Sequence, residues 1–71
     1  MLKYEIQINN KNYIYTTATQ ELKGNRHTQS ITVEGIGSKN DPAIYGPGWH
    51  RIESMESTAR LIALEIIKET A

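Results

Sequence analysis

The sequence predicts an α+β fold: a three-stranded antiparallel sheet, with a short fourth strand allowed, packed on one C-terminal helix in the order β-β-β-α. Three observations carry this. Ile52, Met55, Ala59, Ile62, Ala63, Ile66 and Ile67 recur at three- and four-residue spacing, which is one broad apolar face of a helix. Leu2, Tyr4, Ile6 and Ile8 alternate with Lys3, Glu5 and Gln7, the period of a half-buried strand. Two further stretches read as strands: 13–19 is rich in aromatic and β-branched residues, and 29–35 holds Ile31 and Val33 on one face. The sheet's apolar face and the helix's apolar face must meet, because neither can bury itself alone.

Taken in order, the first strand spans about 2–8. Asn9-Asn10-Lys11-Asn12 follows, and asparagine tolerates the positive φ that tight hairpins require. The second strand, about 13–19, returns antiparallel to the first. Gln20 to Thr28 reads as a polar connection holding a Gly24-Asn25 turn signal, and Ile31 and Val33 share one face of the third strand, about 29–35. The 35–50 loop carries Gly35, Gly37, Gly46, Gly48 and both prolines, so it cannot be regular throughout; Ala43-Ile44-Tyr45 is where a fourth strand fits, cut off by Gly46-Pro47-Gly48. A structureless loop of this length is uncommon in a small domain and is where function or disorder is expected. The helix spans about 53–70, with Ser54 as its N-cap, Glu53 and Glu56 near its positive end and Lys68 near its negative end.

Leu61 and Leu64 lie off the helix's apolar face, beside Ser57 and Lys68. Either the 35–49 loop folds over them, or another chain does, or they are isolated exposed leucines of the ordinary kind. The direction of Tyr4, Tyr13 and Tyr15, toward the core or toward solvent, is open at this stage.

Seventy-one residues make one small domain, 1–71, with a limited core, so marginal stability or oligomerisation is expected. Cysteine is absent, which excludes disulfides and thiolate metal sites. The N-terminus lacks the apolar run of a signal peptide and no segment is apolar enough to span a membrane, so a soluble, cytoplasmic protein is expected. Eight basic side chains balance eight acidic ones, which argues against a dominant role in binding polyanions.

No catalytic constellation is visible. His27 and His50 with Asp41 match no metal-ligand spacing, and both histidines fall in expected loops, so they read as surface histidines. No serine stands in a nucleophile elbow, and the two glycine-rich stretches read as turns rather than phosphate loops. Trp49 reads as a plug for the end of a core that lacks phenylalanine, in preference to a stacking platform beside His50 and Arg51. No enzyme activity, cofactor or metal is expected.

Gly24-Asn25-Arg26-His27 is followed, four residues after the histidine, by Ile31-Thr32-Val33-Glu34; later Glu56-Ser57-Thr58-Ala59-Arg60 leads into Leu61-Ile62-Ala63-Leu64. From Tyr13 onward this resembles a double-stranded-RNA-binding domain, whose loop Gly-Pro-x-His precedes a Phe-Thr-Val-Glu strand and whose last helix opens with a lysine cluster. The resemblance covers about two-thirds of the chain in outline. It implies loop contacts to RNA from Arg26 and His27 and a phosphate contact from Arg60. Glu56 and Ser57 stand at the family's paired lysines, and the strand at 2–8 stands where the family has its first helix.

Two functions follow as expectations. The first is a small non-enzymatic interaction module that self-associates, as a homodimer, or binds a protein partner, through Leu61, Leu64 and Lys68. The second is a nucleic-acid-binding domain acting through Lys23, Arg26, His27, Lys39, Arg51 and Arg60.

Overall fold

The computed structural model describes residues 2–48 and 50–70. Strands β1 (Leu2–Ile8), β2 (Lys11–Leu22), β3 (Arg26–Val33) and β4 (Gly37–Asn40) precede one helix, α1 (Arg51–Thr70). The strands form an antiparallel meander in spatial order β1-β2-β3-β4. The α+β fold is as the periodicities predict, and its fourth strand is short. Trp49 lies outside the described residues.

Turn chemistry sets the register. Asn9 and Asn10, both at positive φ (49° and 67°), make the two-residue connection that puts Ile8 opposite Lys11. Lys23-Gly24-Asn25 joins β2 to β3 with Gly24 and Asn25 at φ 78° and 57°, so Leu22 faces Arg26. The stretch expected as a polar connection is therefore mostly strand: β2 and β3 run on as a hairpin to that turn, because hydrogen-bonded pairing needs no apolar side chains.

One face of the sheet carries Tyr4, Ile6, Ile8, Tyr13, Tyr15, Ile31 and Val33 and meets Ala59, Ile62, Ala63, Ile66 and Ile67 of α1. Ala59 and Ala63 are almost wholly buried, and their small side chains let the helix approach β3 closely. The tyrosines thus turn toward the core, with Tyr4 and Tyr15 stacked 5.1 Å apart at an interplanar angle of 20°. The opposite face, with Lys3, Glu5, Gln7, Thr32, Glu34, Ser38 and Asn40, is open to water.

The fourth strand is Gly37–Asn40 rather than 43–45. Asp41 still donates its N–H to the Gln29 carbonyl at 3.0 Å, but Pro42 has no N–H to continue the ladder and the chain bulges. Tyr45 then rejoins β3 as a single bridge, exchanging backbone bonds with His27 at 2.7 and 2.8 Å. The helix begins at Arg51, and Ser54 donates its backbone N–H to the His50 carbonyl at 3.0 Å. Ser54 is therefore inside the first turn and His50 holds the N-cap position. At the other end the Thr70 hydroxyl lies 3.2 Å from the carbonyls of both Ile66 and Ile67 and donates back into its own last turn.

Candidate functional site

Leu61, Leu64 and Lys68 line one cleft of about 590 Å³ between the back of α1 and the bulge after β4, together with Pro42, Ala43, Thr58 and Glu65. The bulge borders the leucines without covering them. Leu61 keeps 63% of its surface exposed, while Leu64 is half-buried against the core. A helix-back apolar surface thus stays open beside a short wall of loop.

A buried polar knot holds that wall. The Gln29 side-chain amide donates to Asp41 Oδ2 at 2.8 Å and to the Met55 carbonyl at 2.9 Å, joining β3, the loop and the helix. The Ala43 N–H donates to Asp41 Oδ1 at 2.9 Å, and the Tyr45 hydroxyl donates to Asp41 Oδ2. Burial alone would raise the Asp41 pKa, but the bonds from Gln29, Tyr45 and Ala43 outweigh it and hold the carboxyl below its ordinary value. The Tyr45 pKa is raised, by burial first and by its bond to Asp41 second. Asp41 is therefore committed to structure, and it forms no cluster with His27 and His50: among the described residues no group of three or more His, Cys, Asp and Glu could hold a metal ion.

The six basic residues picked from the sequence do not form one surface. Lys23 and Arg26 sit at the β2–β3 turn, where Arg26 Nε donates to the Lys23 carbonyl at 3.1 Å. His27 and Arg51 meet at the same end, with Arg51 Nη1 against His27 Nε2, while the buried Nδ1 of His27 finds no partner among the described residues. Arg60 lies nine residues further along α1, about 14 Å at 1.5 Å per residue, exposed near Glu56 and Tyr15. Lys39 is on β4 and bonds Glu69 near the helix's far end, which holds its pKa above the usual lysine value. Comparison with protein-family models, curated proteins and solved structures gave no match.

A second cleft, of about 240 Å³, was not anticipated from sequence. Leu2, Tyr4, Thr17, His27, Gln29, Ile52, Met55 and Glu56 are among its lining residues, between the first turns of α1 and the start of β1. The helical periodicity puts Ile52 on the apolar face, yet Ile52 is 59% exposed and Leu2 is 56% exposed. The first turn of α1 overhangs the part of the sheet where Thr17, Thr19, His27 and Gln29 replace large apolar residues, so no described residue of the sheet rises to cover Ile52. The Tyr4 hydroxyl reaches Glu56 Oε1 at 3.4 Å; the Tyr4 pKa is raised, by burial first and then by Glu56. The only advance sign of this cleft is that Leu2 and Ile52 each stand first in their periodic runs, where a partner across the layer is least assured.

Proposed function

We propose that this chain is a small, cytoplasmic, non-catalytic interaction module that binds a protein partner along the back of α1. The observation that carries this is the cleft of Leu61, Leu64, Pro42 and Ala43, an apolar strip flanked by Glu65 and Lys68 and fixed on one side by the Asp41 knot. Apolar side chains at i and i+3 on an exposed helix face are the pattern by which one helix accepts another apolar segment. Among the described residues no helix is long and apolar enough to cross a membrane, so the leucines are not part of a spanning helix. Panning a displayed peptide library against the folded chain tests the reading. Enriched peptides should carry spaced apolar residues, shift the amide signals of residues 58–68, and lose binding at least tenfold to Leu61→Glu, a change at an exposed position. Enriched peptides that bind Leu61→Glu as well as wild type would refute it.

A second reading rests on the tip formed by Lys23, Arg26, His27 and Arg51, which four of the six sequence-selected basic residues share. It is duplex nucleic-acid binding of the double-stranded-RNA-binding-domain kind, with Arg26 and His27 in the loop role. The tip supports contact with few phosphates, and most non-specific affinity comes from phosphate neutralisation. The first reading is preferred on that ground.

A further inference from the structure

Among the described residues β1 has a strand on one side only, so its other edge is open. The two-residue turn makes Ile8 and Lys11 a hydrogen-bonded pair, so Leu2, Tyr4 and Ile6 direct their backbone groups to β2. The Glu34 N–H, 2.9 Å from the Ile14 carbonyl, agrees from the other side: Ile14 turns its backbone to β3, leaving Tyr13 and Tyr15 for β1. Lys3, Glu5 and Gln7 therefore aim their N–H and C=O groups away from the sheet.

We propose that two copies join by antiparallel β1–β1 pairing, in the register that sets Lys3 opposite Glu5 of the second copy. Only the outward-bonding residues can form hydrogen-bonded pairs across the new seam. Centring the seam on Lys3 opposes two ammonium groups, and centring it on Glu5 opposes two carboxylates; each costs stability where like charges face each other directly. Centring it on Tyr4 gives two Lys3–Glu5 pairs, one on each side of the dyad. It also sets Tyr4 against Tyr4 in the close, non-hydrogen-bonded position and Leu2 against Ile6. The Tyr4–Tyr15 stack then extends into a row of four rings, and the exposed Leu2 gains an apolar neighbour. Glu5 has no ion pair among the described residues, whereas Lys3 is 3.4 Å from Glu34 across an exposed face. A second lysine brought beside Glu5 supplies the missing cation. The product is one eight-stranded sheet with both helices on the same face, and its outer edges are the two β4 strands.

Charge reversal tests both the interface and its register. In sedimentation equilibrium, wild type should associate to twice its 8.1 kDa. Glu5→Lys alone and Lys3→Glu alone should each weaken association by about tenfold or more, because both seam pairs become like-charged. The double variant Lys3→Glu with Glu5→Lys should recover it, and mixing the two single variants should yield the heterodimer. All these positions are on the exposed face, so circular dichroism should be unchanged. Leu61→Glu should dimerise as wild type does, which separates this inference from the helix-back reading. A wild type that stays monomeric at every concentration, single variants that associate like wild type, or a double variant that fails to recover would each overturn it.

Discussion

Asp41 is the residue on which the loop depends. Its two carboxylate oxygens receive Gln29, Tyr45 and the Ala43 N–H, and removing them strands a buried amide and a hydroxyl together. Asp41→Ala should lower the free energy of unfolding by about 2–3 kcal/mol, the cost of leaving buried polar groups unsatisfied, as read by urea denaturation. Asp41→Asn keeps the shape but loses the charge. Since the folded-state pKa of Asp41 is lowered, its ionised form stabilises the fold at pH values above the unfolded carboxyl's own, about 3.9. That contribution is lost as pH falls from there through the folded pKa. The stability gap between wild type and Asp41→Asn should therefore close on acidification; a gap that widens below about pH 4 contradicts the assignment.

At the scale of elements, what was legible in the sequence is what has a side-chain period. β1 and α1 follow from the alternation of Leu2 to Ile8 and the spacing of Met55 to Ile67. β4 was hidden because Gly37-Ser38-Lys39-Asn40 holds no apolar or β-branched residue; its pairing with β3 is a backbone affair, and Gly37 tucks under Ile66. The ends of β2 and β3 beside their turn, 20–22 and 26–28, were hidden because Leu22 is their one apolar residue and no alternation shows. Leu61 and Leu64 were legible as residues out of phase, but the cleft they line needed the bulge at Pro42, a tertiary feature. The Leu2–Ile52 cleft was not legible, because an exposed side chain in phase with a core face looks like the core. Gly35, in the β3–β4 turn, and Gly37, the first residue of β4, separate these causes experimentally. Gly35 has φ 76°, a conformation that disfavours any Cβ, so Gly35→Ala should cost about 1 kcal/mol. Gly37 has no such φ, and an added Cβ would meet Ile66 Cγ2 at 3.9 Å, ordinary contact. Gly37→Ala should be neutral or stabilise by about 0.4–1 kcal/mol, mainly by restricting the unfolded chain. Thermal midpoints of the two variants should move in opposite directions or differ clearly; equal losses would mean Gly37 is needed for something other than its place in the strand.

The whole molecule extends 41 × 19 × 18 Å with zero net charge, so its charges act by position and not by a collective field. Lys39 and Lys3 are engaged with Glu69 and Glu34, and Arg60 stands within a turn of Glu56 on the helix. What remains concentrated at one end is Lys23, Arg26 and Arg51. If a duplex nucleic acid binds there, about three phosphates can be neutralised, which limits the slope of log K against log salt to about −2.7. The expected result for a short duplex is weak binding at low salt, a slope between about −2 and −3, and amide shifts at residues 23–27 and 51. Arg26→Ala with Arg51→Ala should abolish it, and Arg60→Ala should leave it unchanged because Arg60 lies away from the tip. A slope steeper than about −4 would require cations that this end of the molecule does not hold. Loss of binding on Arg60→Ala would instead place the contact along the helix, in the manner the family resemblance implies. That single substitution therefore decides between a contact confined to the tip and one that also uses the helix contact, Arg60, implied by the double-stranded-RNA-binding-domain resemblance.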